Sequence, residues 1–251
     1  MLATCRYIVG DMTRLVVATR NGHKLQEIRA ILSERFQYLA LNDFPDAPKT
    51  VEDADTFAGN AIKKAIELAQ WLATHSTFDL RLSPLLVLAD DSGLEVDALN
   101  GAPGVYSARF AAGGGSAGGL PAGLAGNSAD ADNNAKLLRL LDEVPWEKRT
   151  ARFRCVLALT PVLSTSQAAS SPVCYADERE LQTELFEGVC DGRIGFAPRG
   201  QGGFGYDPLF IPDGHEQSFA ELGEDVKNRI SHRARALARM RERLLPATPA
   251  R

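Results

Sequence analysis

The sequence predicts an α/β fold built on a mixed β-sheet with flanking helices. Two observations carry this prediction: strand and helix patterns alternate in the first half of the chain, and consecutive strand patterns follow one another in the second half. Alternation of strands and helices is typical of parallel pairing, and consecutive strands are typical of antiparallel pairing. One sheet that holds both kinds of pair is therefore expected, and the sequence shows no internal repeat.

The first half of the chain combines short apolar runs with amphipathic helices. Asn21 can cap a helix in which Leu25, Ile28 and Leu32 recur at helical spacing. A long helix is predicted over residues 56–74, because its apolar positions follow the 3.6-residue period. The runs with strand character are residues 15–19, 38–41 and 84–89.

The second half is predicted to hold a pair of neighbouring strands between two helices. Apolar and charged residues alternate at the start of the first strand, as expected for a strand with one covered face. The C-terminal segment is basic and amphipathic, with its apolar residues at helical spacing. The predicted strands cover residues 151–159 and 185–190, and the predicted helices cover 132–141 and 224–245.

These elements are interpreted as one domain with extensions and two long loops. Residues 111–126 contain seven glycines in sixteen positions and no periodicity, which is typical of a loop. The predicted divisions are an N-terminal extension at 1–13, a domain at 14–246 with loops at 111–127 and 163–182, and a tail at 247–251.

Composition excludes several classes of protein. A net charge of −4 argues against broad electrostatic binding to nucleic acid. No apolar run approaches the roughly 18 residues that suggest a membrane helix, and the N-terminus lacks a signal-peptide pattern. The four cysteines have neither C-x-x-C nor zinc-ligand spacing, which fits a reducing compartment. A cytoplasmic protein is therefore expected, with no membrane partner.

A first group of polar residues joins the first strand to the first helix: Thr19, Arg20, Asn21, Gly22, His23 and Lys24. Hydroxyl, amide and ammonium groups at a helix N-terminus favour phosphate binding. The Walker A spacing is absent. The alternative is that Asn21 is only an N-cap and that Lys24 is a solvated residue of the first turn.

A second group, Asp90, Asp91 and Ser92, follows the second apolar strand. Open α/β sheets bind ligands at the carboxyl ends of their strands. Adjacent carboxylates repel unless a positive charge, usually a metal, lies beside them, and Mg²⁺ takes one or two carboxylates plus phosphate oxygens. Glu52, just before the long helix, is a candidate third carboxylate. The alternative is a surface turn, since D-S-G is good turn chemistry.

A third group is the glycine-rich stretch 192–207, which has six glycines between positions 192 and 205 and ends in Phe204, Gly205, Tyr206 and Asp207. Glycines let a ligand approach main-chain N–H groups closely. Two aromatic rings and a carboxylate suit a flat ligand that forms hydrogen bonds, such as a nucleobase. The alternative is a hairpin whose Phe204 and Tyr206 fill the core.

A fourth group lies on the C-terminal helix, where Lys227, His232 and Arg233 could donate hydrogen bonds to the carbonyl oxygens of a base. The alternative is a solvated helix face. A serine hydrolase is excluded by the absence of a G-x-S-x-G elbow. Together the four groups suggest a phosphate site, a metal site and a base site, and hence a nucleoside triphosphate as substrate.

The chain resembles the HAM1-like inosine/xanthosine triphosphate pyrophosphatases over nearly its whole length, from Leu15 to about Leu244. Six segments carry the resemblance in one order. They are Ala18–Lys24, Thr56–Ala65, Ala89–Leu94, Gly101–Arg109, Gly203–Pro208 and Ser231–Arg233.

The resemblance implies Mg²⁺-dependent hydrolysis of ITP, dITP and XTP to the monophosphate and pyrophosphate. It also implies a homodimer of elongated two-lobed subunits, each with a central nucleotide-binding cleft. At the matching residues, the resemblance implies that Thr19, Asn21 and Lys24 hold phosphates. It also implies that Asp91 is the general base or a metal ligand and that Ser92 belongs to the substrate site.

For the base, the resemblance implies that Phe204 and Tyr206 flank the purine. Base and phosphate contacts are then completed by Asp207, Lys227, His232 and Arg233. Two positions depart from the family pattern: Arg20 adds charge near the phosphates, and Gly59 replaces a commonly acidic residue before Asn60. Glu52 is the expected substitute ligand, beside Asp90 and Asp91.

Overall fold

The computed structural model describes residues 13–32, 36–75, 84–113, 127–163 and 182–244. The strands are β1 (Arg14–Val17), β2 (Gln37–Ala40), β3 (Leu85–Val96), β4 (Thr150–Pro161), β5 (Glu184–Ile194) and β6 (Phe210–Pro212). The helices are α1 (Gly22–Leu32), α2 (Phe57–His75), α3 (Asp130–Leu140), α4 (Phe219–Leu222), α5 (Glu224–Ile230) and α6 (His232–Leu244).

The strands form one six-stranded mixed sheet in the order β2-β1-β3-β4-β5-β6. β1 pairs in parallel with β2 and β3, and the remaining neighbours pair antiparallel. The parallel strands are joined through α1 and α2, because a parallel connection must cross back over the sheet. The α/β fold with a mixed sheet is therefore confirmed.

β3 is twice as long as the sequence predicts, and this corrects the position of the acidic pair. Asp90, Asp91 and Ser92 lie within the strand rather than at its carboxyl end or in a surface turn. β1 pairs with β3 only as far as Leu88, whereas β4 pairs with β3 along its whole length as far as Val96. The acidic pair thus follows the point where the parallel part of the sheet stops.

Alternation along the strands divides the core into layers. On one face, Leu86 and Leu88 of β3 pack with α1 and α6. On the other face, Val87 and Ala89 pack with α2. A third cluster surrounds the far halves of β3 to β5 and includes Leu94 and residues of α3 and α4. Along β3, Asp90 and Asp91 therefore lie between Ala89 of the second cluster and Leu94 of the third cluster.

The C-terminal segment is two helices, not the single helix predicted over 224–245. Ser231 has extended backbone (φ −66°, ψ 162°) and separates α5 from α6. Its Oγ accepts a hydrogen bond from the Ala234 N–H at 3.2 Å, which is an N-cap interaction. The break places Lys227 and Arg233 in different directions from those that one continuous helix would give them.

Several predicted segments lie outside the described residues. They include all but the last residue of the extension 1–13, most of the loops 111–127 and 163–182, and the tail 247–251. The proposed division of the chain stays a prediction. Within the described residues, no helix is long and apolar enough to cross a membrane.

Candidate functional site

The Asp91 carboxylate lies on the α2 face of the sheet and is held by two residues of that helix. Lys64 Nζ donates to Asp91 Oδ1 at 2.9 Å and to the Asp90 carbonyl at 2.8 Å. Asn60 Nδ2 donates to Asp91 Oδ2 at 3.3 Å. Asn60 and Lys64 are four residues apart, so their side chains project from one side of α2.

Glu52 brings a second carboxylate to this position. Its Oε2 lies 3.3 Å from Lys64 Nζ, so one ammonium group faces both Glu52 and Asp91. The segment that carries Glu52 is fixed to α2, because Asn60 Oδ1 accepts a hydrogen bond from the Ala54 N–H at 3.0 Å. Asn60 is fully buried and bridges this segment to Asp91.

Gly59 permits the close approach of this segment to α2. A Cβ atom at position 59 would lie 2.7 Å from Ala54 Cβ, closer than such atoms can come. Arg109 Nη2 donates to the Glu52 carbonyl at 3.0 Å and holds the segment from its other side. The absence of a side chain at Gly59 thus lets the segment that carries Glu52 pack closely on α2, and the role of Glu52 as a substitute ligand stays a prediction.

The two carboxyl groups titrate differently. Burial raises the pKa of Asp91 to about 6, with the neighbouring Glu52 carboxylate adding to the effect and Lys64 and Lys24 opposing it. Burial also acts to raise the pKa of Glu52, but Lys64, the hydrogen bond with Asp91 and Lys24 outweigh it, so that pKa is lowered. The pair thus combines an ionised Glu52 with an Asp91 that can accept a proton near neutral pH.

Asp90 lies on the opposite face, surrounded by donors from α1, α6 and β4. Its Oδ1 accepts hydrogen bonds from Lys24 Nζ, from Ser92 Oγ at 3.0 Å and from Arg233 Nη2 at 3.4 Å. Its Oδ2 accepts from Arg233 Nε at 2.9 Å and from Cys155 Sγ at 3.2 Å. Both oxygens are engaged, and this geometry does not favour the predicted role of Asp90 as a metal ligand.

The cations around Asp90 determine its charge. Burial alone would raise the pKa of Asp90, but Arg233 and Lys24 outweigh burial and hold that pKa well below its usual range. Asp90 therefore stays ionised, which fixes Lys24 and Arg233 beside it. Arg233 is 1% exposed, so the alternative of a solvated C-terminal helix face is wrong for this residue.

The N-terminus of α1 has the polar groups that the sequence predicts. Asn21 Oδ1 accepts hydrogen bonds from the His23 N–H at 3.0 Å and the Lys24 N–H at 3.3 Å, so Asn21 caps the helix. The Asn21 N–H donates to Thr19 Oγ1 at 3.1 Å. Arg20 instead donates from Nη2 to the Ala47 carbonyl at 3.3 Å. Gly22 and His23 lie exposed at the helix start.

Glu27 connects the acidic pair to the glycine-rich loop, and the sequence interpretation missed it. Its Oε1 lies 2.8 Å from Lys227 Nζ, and its Oε2 accepts a hydrogen bond from Arg233. Lys227 also lies 2.6 Å from Asp207 Oδ2. A buried chain of alternating charges therefore runs from Asp207 through Lys227, Glu27 and Arg233 to Asp90.

Phe204 and Tyr206 differ in their surroundings. The Tyr206 ring is buried in the core, and its hydroxyl donates to the Ser107 carbonyl at 2.9 Å. In this conformation the ring offers no face to a purine, contrary to the expectation from the resemblance. Phe204 is half-buried, and its ring stacks on His23 with centroids 5.5 Å apart and an interplanar angle of 18°. Lys227 Nζ lies 4.2 Å from the Phe204 centroid.

His232 is a buried neutral imidazole. Its ring stacks on Phe153 at 4.8 Å. Burial and the nearby Arg233 and Lys227 lower the pKa of His232 well below its usual value. Its Nδ1 is buried and has no hydrogen-bond partner among the described residues. This atom can accept a hydrogen bond or, in the other tautomer, donate one.

The fold thus brings most of the predicted site residues together, while their roles stay predictions. Residues that the sequence interpretation missed are Glu27, Asn60, Lys64 and Cys155. A signal existed for two of them, because Asn60 and Lys64 interrupt the otherwise apolar face of α2 at helical spacing. Cys155 is placed by its register opposite Ser92, which only the strand pairing reveals. Within the described ranges, no group of three or more His, Cys, Asp or Glu side chains is arranged to hold a metal.

Comparison with known sequences gives one consistent result. A sequence model of the Ham1 family matches residues 15–243. A dITP/XTP pyrophosphatase of Geobacter sulfurreducens is 45% identical over 234 residues, which are 93% of this chain and 97% of the relative. A dITP/XTP pyrophosphatase of Shouchella clausii is 43% identical over 231 residues, or 92% and 96% of the two chains.

Solved structures agree with this result. A HAM1 protein from Coxiella burnetii superimposes with a TM-score of 0.68 at 34% identity, covering 91% of this chain and 96% of that one. The Ham1 protein of Staphylococcus aureus gives a TM-score of 0.65 at 31% identity, with the same coverage of both chains. The likeness therefore extends over nearly the whole of each chain.

Proposed function

The chain belongs to the Ham1 family, and from this premise we propose that it hydrolyses dITP, XTP and ITP to the nucleoside monophosphate and pyrophosphate. Such an activity removes non-standard purines from the nucleotide pool. The observation that supports it most directly is the Asp91–Glu52 pair at Lys64, in which Asp91 is buried and Glu52 is partly exposed. A carboxyl group whose pKa is about 6 is suited to general-base chemistry near neutral pH.

The donor set fits a divalent cation. Glu52 and Asp91 present carboxylate oxygens on both sides of Lys64 Nζ, and Mg²⁺ in proteins takes one or two carboxylates together with phosphate oxygens. Burial accounts for most of the raised pKa of Asp91, and the neighbouring Glu52 carboxylate adds to it, so a bound cation would be favoured by both carboxylates. We therefore assign Glu52 and Asp91 as the metal-binding residues. When bound, Mg²⁺ supplies Lewis-acid polarisation of phosphate oxygens and lowers the pKa of a coordinated water.

The residues of this chain supply proton transfer, phosphate binding and the positioning of charged groups. Asp91 accepts the proton of the water that attacks the α-phosphorus, and Asn60 and Lys64 hold its carboxylate in position. Lys24, with Thr19 and Asn21 beside it at the start of α1, binds the phosphate chain; because Asn21 Oδ1 already accepts from the His23 and Lys24 N–H groups, side chains and the helix dipole carry this role. Asp90 takes no proton in this scheme; it orients Lys24 and Arg233.

The base lies against Phe204 at the far end of the cleft. His23 supplies the second flat surface in place of Tyr206; its ring now stacks on Phe204 with centroids 5.5 Å apart, so the two rings must separate to admit the base. His232, whose buried Nδ1 has no partner among the described residues, discriminates a 6-oxo purine from adenine, since a donor near position 6 would face the amino group of ATP without a partner. The neighbouring Arg233 guanidinium is engaged by Asp90, Glu27 and Ser92 and supports this position. Ser92, Gly205, Asp207 and Lys227 complete the walls of the site.

The assembly and location are inferred as well. We propose a homodimer in the cytoplasm, as the resemblance and the unpaired thiol pattern imply. Light scattering coupled to size-exclusion chromatography measures the mass directly.

The deciding experiment is pyrophosphate release with Mg²⁺ from ITP, XTP, dITP, GTP, ATP and TTP, measured side by side. A strong preference for ITP, XTP and dITP, with the monophosphate as product, is the expected result. Orthophosphate release would mean that a different bond is broken. A flat profile would indicate a pyrophosphatase of wider range, and absence of turnover with retained binding would indicate a nucleotide-binding protein.

A further inference from the structure

Helix α3 holds the backbone of the glycine-rich loop at two consecutive peptide groups. Asp130 Oδ2 accepts a hydrogen bond from the Gly205 N–H at 2.6 Å. Asn134 Nδ2 donates to the Gly205 carbonyl at 3.0 Å. Gly205 has a φ of +62°, a backbone conformation that glycine adopts readily. The two contacts therefore fix both the position and the unusual conformation of this residue.

Gly205, which these two hydrogen bonds hold, directly follows Phe204. The N–H that Asp130 holds belongs to the peptide group that joins Phe204 to Gly205, and the Phe204 N–H donates in turn to Asp207 Oδ2 at 2.8 Å. Asp207 also bonds Lys227, whose ammonium lies over the Phe204 ring. Any shift of Gly205 therefore moves the ring that forms the base-binding surface.

Asn134 has a buried amide oxygen that the described residues leave without a hydrogen bond, which argues that this side chain serves the loop. It is 7% exposed, and its Oδ1 is buried without a hydrogen-bond partner among the described residues. A buried amide that is only partly satisfied destabilises the folded state. Leu137 and Leu141 continue the same side of the helix and are fully buried, so an apolar residue at position 134 would suit the core better.

We propose that Asp130 and Asn134 are positioning residues for purine recognition, which act on the base through Gly205 and Phe204 without contacting it. The proposal rests on the proposed function, since it assumes that Phe204 receives the base. It assigns to α3 a role that is separate from phosphate binding and from proton transfer. The effect of losing either contact should appear in base recognition and not in the chemical step.

Four variants test the proposal. Asn134→Leu removes the carbonyl contact, and Asp130→Ala removes the N–H contact. Asp130→Asn keeps an acceptor oxygen and is expected to restore function. Asp132→Ala removes an exposed carboxylate from the same turn of α3 and is the matched control. Each is assayed for kcat and KM with ITP and ATP, for inhibition by inosine monophosphate and by pyrophosphate, and for Tm.

Asn134→Leu and Asp130→Ala should each raise KM for ITP and the inhibition constant of inosine monophosphate by about fivefold, the effect of one hydrogen bond. The inhibition constant of pyrophosphate and kcat should stay unchanged, and Tm of Asn134→Leu should equal or exceed that of the parent. Equal losses for inosine monophosphate and pyrophosphate, or a fall in kcat alone, would overturn the proposal. If the parent protein releases no pyrophosphate from ITP, the proposed function fails. The role of Asp130 and Asn134 is then still tested by the binding of inosine monophosphate to the variants.

Discussion

Asp90 and Asp91 are neighbours in the chain, yet their carboxylates lie on opposite faces of β3. Asp90 contacts Lys24 and Arg233 on the side of α1 and α6, and Asp91 contacts Lys64 on the side of α2. Successive side chains of a strand point to opposite faces, so the two charges are separated by the sheet itself. Each carboxylate has its own cations, and the two should therefore respond differently to the same substitution.

Asp91→Asn should abolish turnover and spare binding. The amide keeps the shape of the side chain but cannot accept a proton, and general-base catalysis contributes about a thousandfold to many reactions. We expect kcat for ITP to fall by about that factor, with the dissociation constant of ITP changed by less than about threefold. Steady-state kinetics and calorimetric titration measure the two quantities. Asp191→Asn, an exposed carboxylate of β5, is the control, and an active Asp91→Asn enzyme would show that the base is another residue.

Asp90→Asn should destabilise the protein. It leaves Arg233 and Lys24 without the buried carboxylate that they share, and breaking a buried ion pair costs about 3 kcal/mol. The pKa of Asp90 is depressed, so this stabilisation is present at neutral pH and is lost as the pH falls through that low value. Chemical denaturation at pH 7.5 measures the difference. An unchanged free energy of unfolding would mean that the cations around Asp90 are compensated elsewhere.

Asp91 should give the opposite pH dependence. Because burial raises its pKa to about 6, the ionised form is disfavoured in the folded protein above that pH, despite Lys64 of α2 and Lys24 of α1. This cost, at most about 3 kcal/mol, is fully present above the folded pKa and is relieved as the pH falls from about 6 toward the ordinary value of 3.8, so lowering the pH from 7.5 to 5.5 removes only part of it. Asp91→Asn should therefore have a higher Tm than the parent at pH 7.5, and the gap should narrow at pH 5.5. Thermal unfolding in EDTA tests this, and a gap that does not depend on pH contradicts it.

Lys24→Ala should weaken binding of the triphosphate far more than binding of the nucleoside. Lys24 belongs to the first turn of α1, where the positive end of the helix dipole also favours an anion. Loss of a charged hydrogen bond corresponds to roughly tenfold in affinity for ITP. Competition assays with ITP and inosine measure both affinities, and Lys63→Ala, an exposed lysine of α2, is the control. Equal losses for the two ligands would refute the phosphate role.

His23→Ala should impair recognition of the base. The imidazole stacks on Phe204, and stacking on one aromatic side chain is worth about 1 kcal/mol or more per base, or roughly fivefold in KM. His23→Phe keeps a flat ring and should retain the parent KM for ITP. Inhibition by pyrophosphate should be unaffected in both variants. If His23→Ala binds inosine monophosphate as tightly as the parent, the imidazole is not part of the base site.

The alternatives that the sequence left open were decided by hydrogen bonding and by burial. Asn21 does cap α1, as one of the alternatives for the first group states. It also lies beside Lys24 at the start of this helix. Tyr206 fills the core, as the alternative for the glycine-rich stretch states, whereas Phe204 does not. Lys227 is 3% exposed, which excludes the solvated face. Residue type alone could not separate these cases, because each side chain is compatible with both environments.

The sequence by itself determined the α/β class, the main helices and strands, and the stretches that carry the candidate site. These features depend on local periodicity, capping and turn chemistry, all of which act between residues close in the chain. Only the tertiary structure decided that β3 continues past Ser92, that Asp90 and Asp91 face different helices, and that Glu27 joins Lys227 to Arg233. Strand register and the packing of α1 against α6 depend on contacts between residues up to about two hundred positions apart, and no local pattern encodes them.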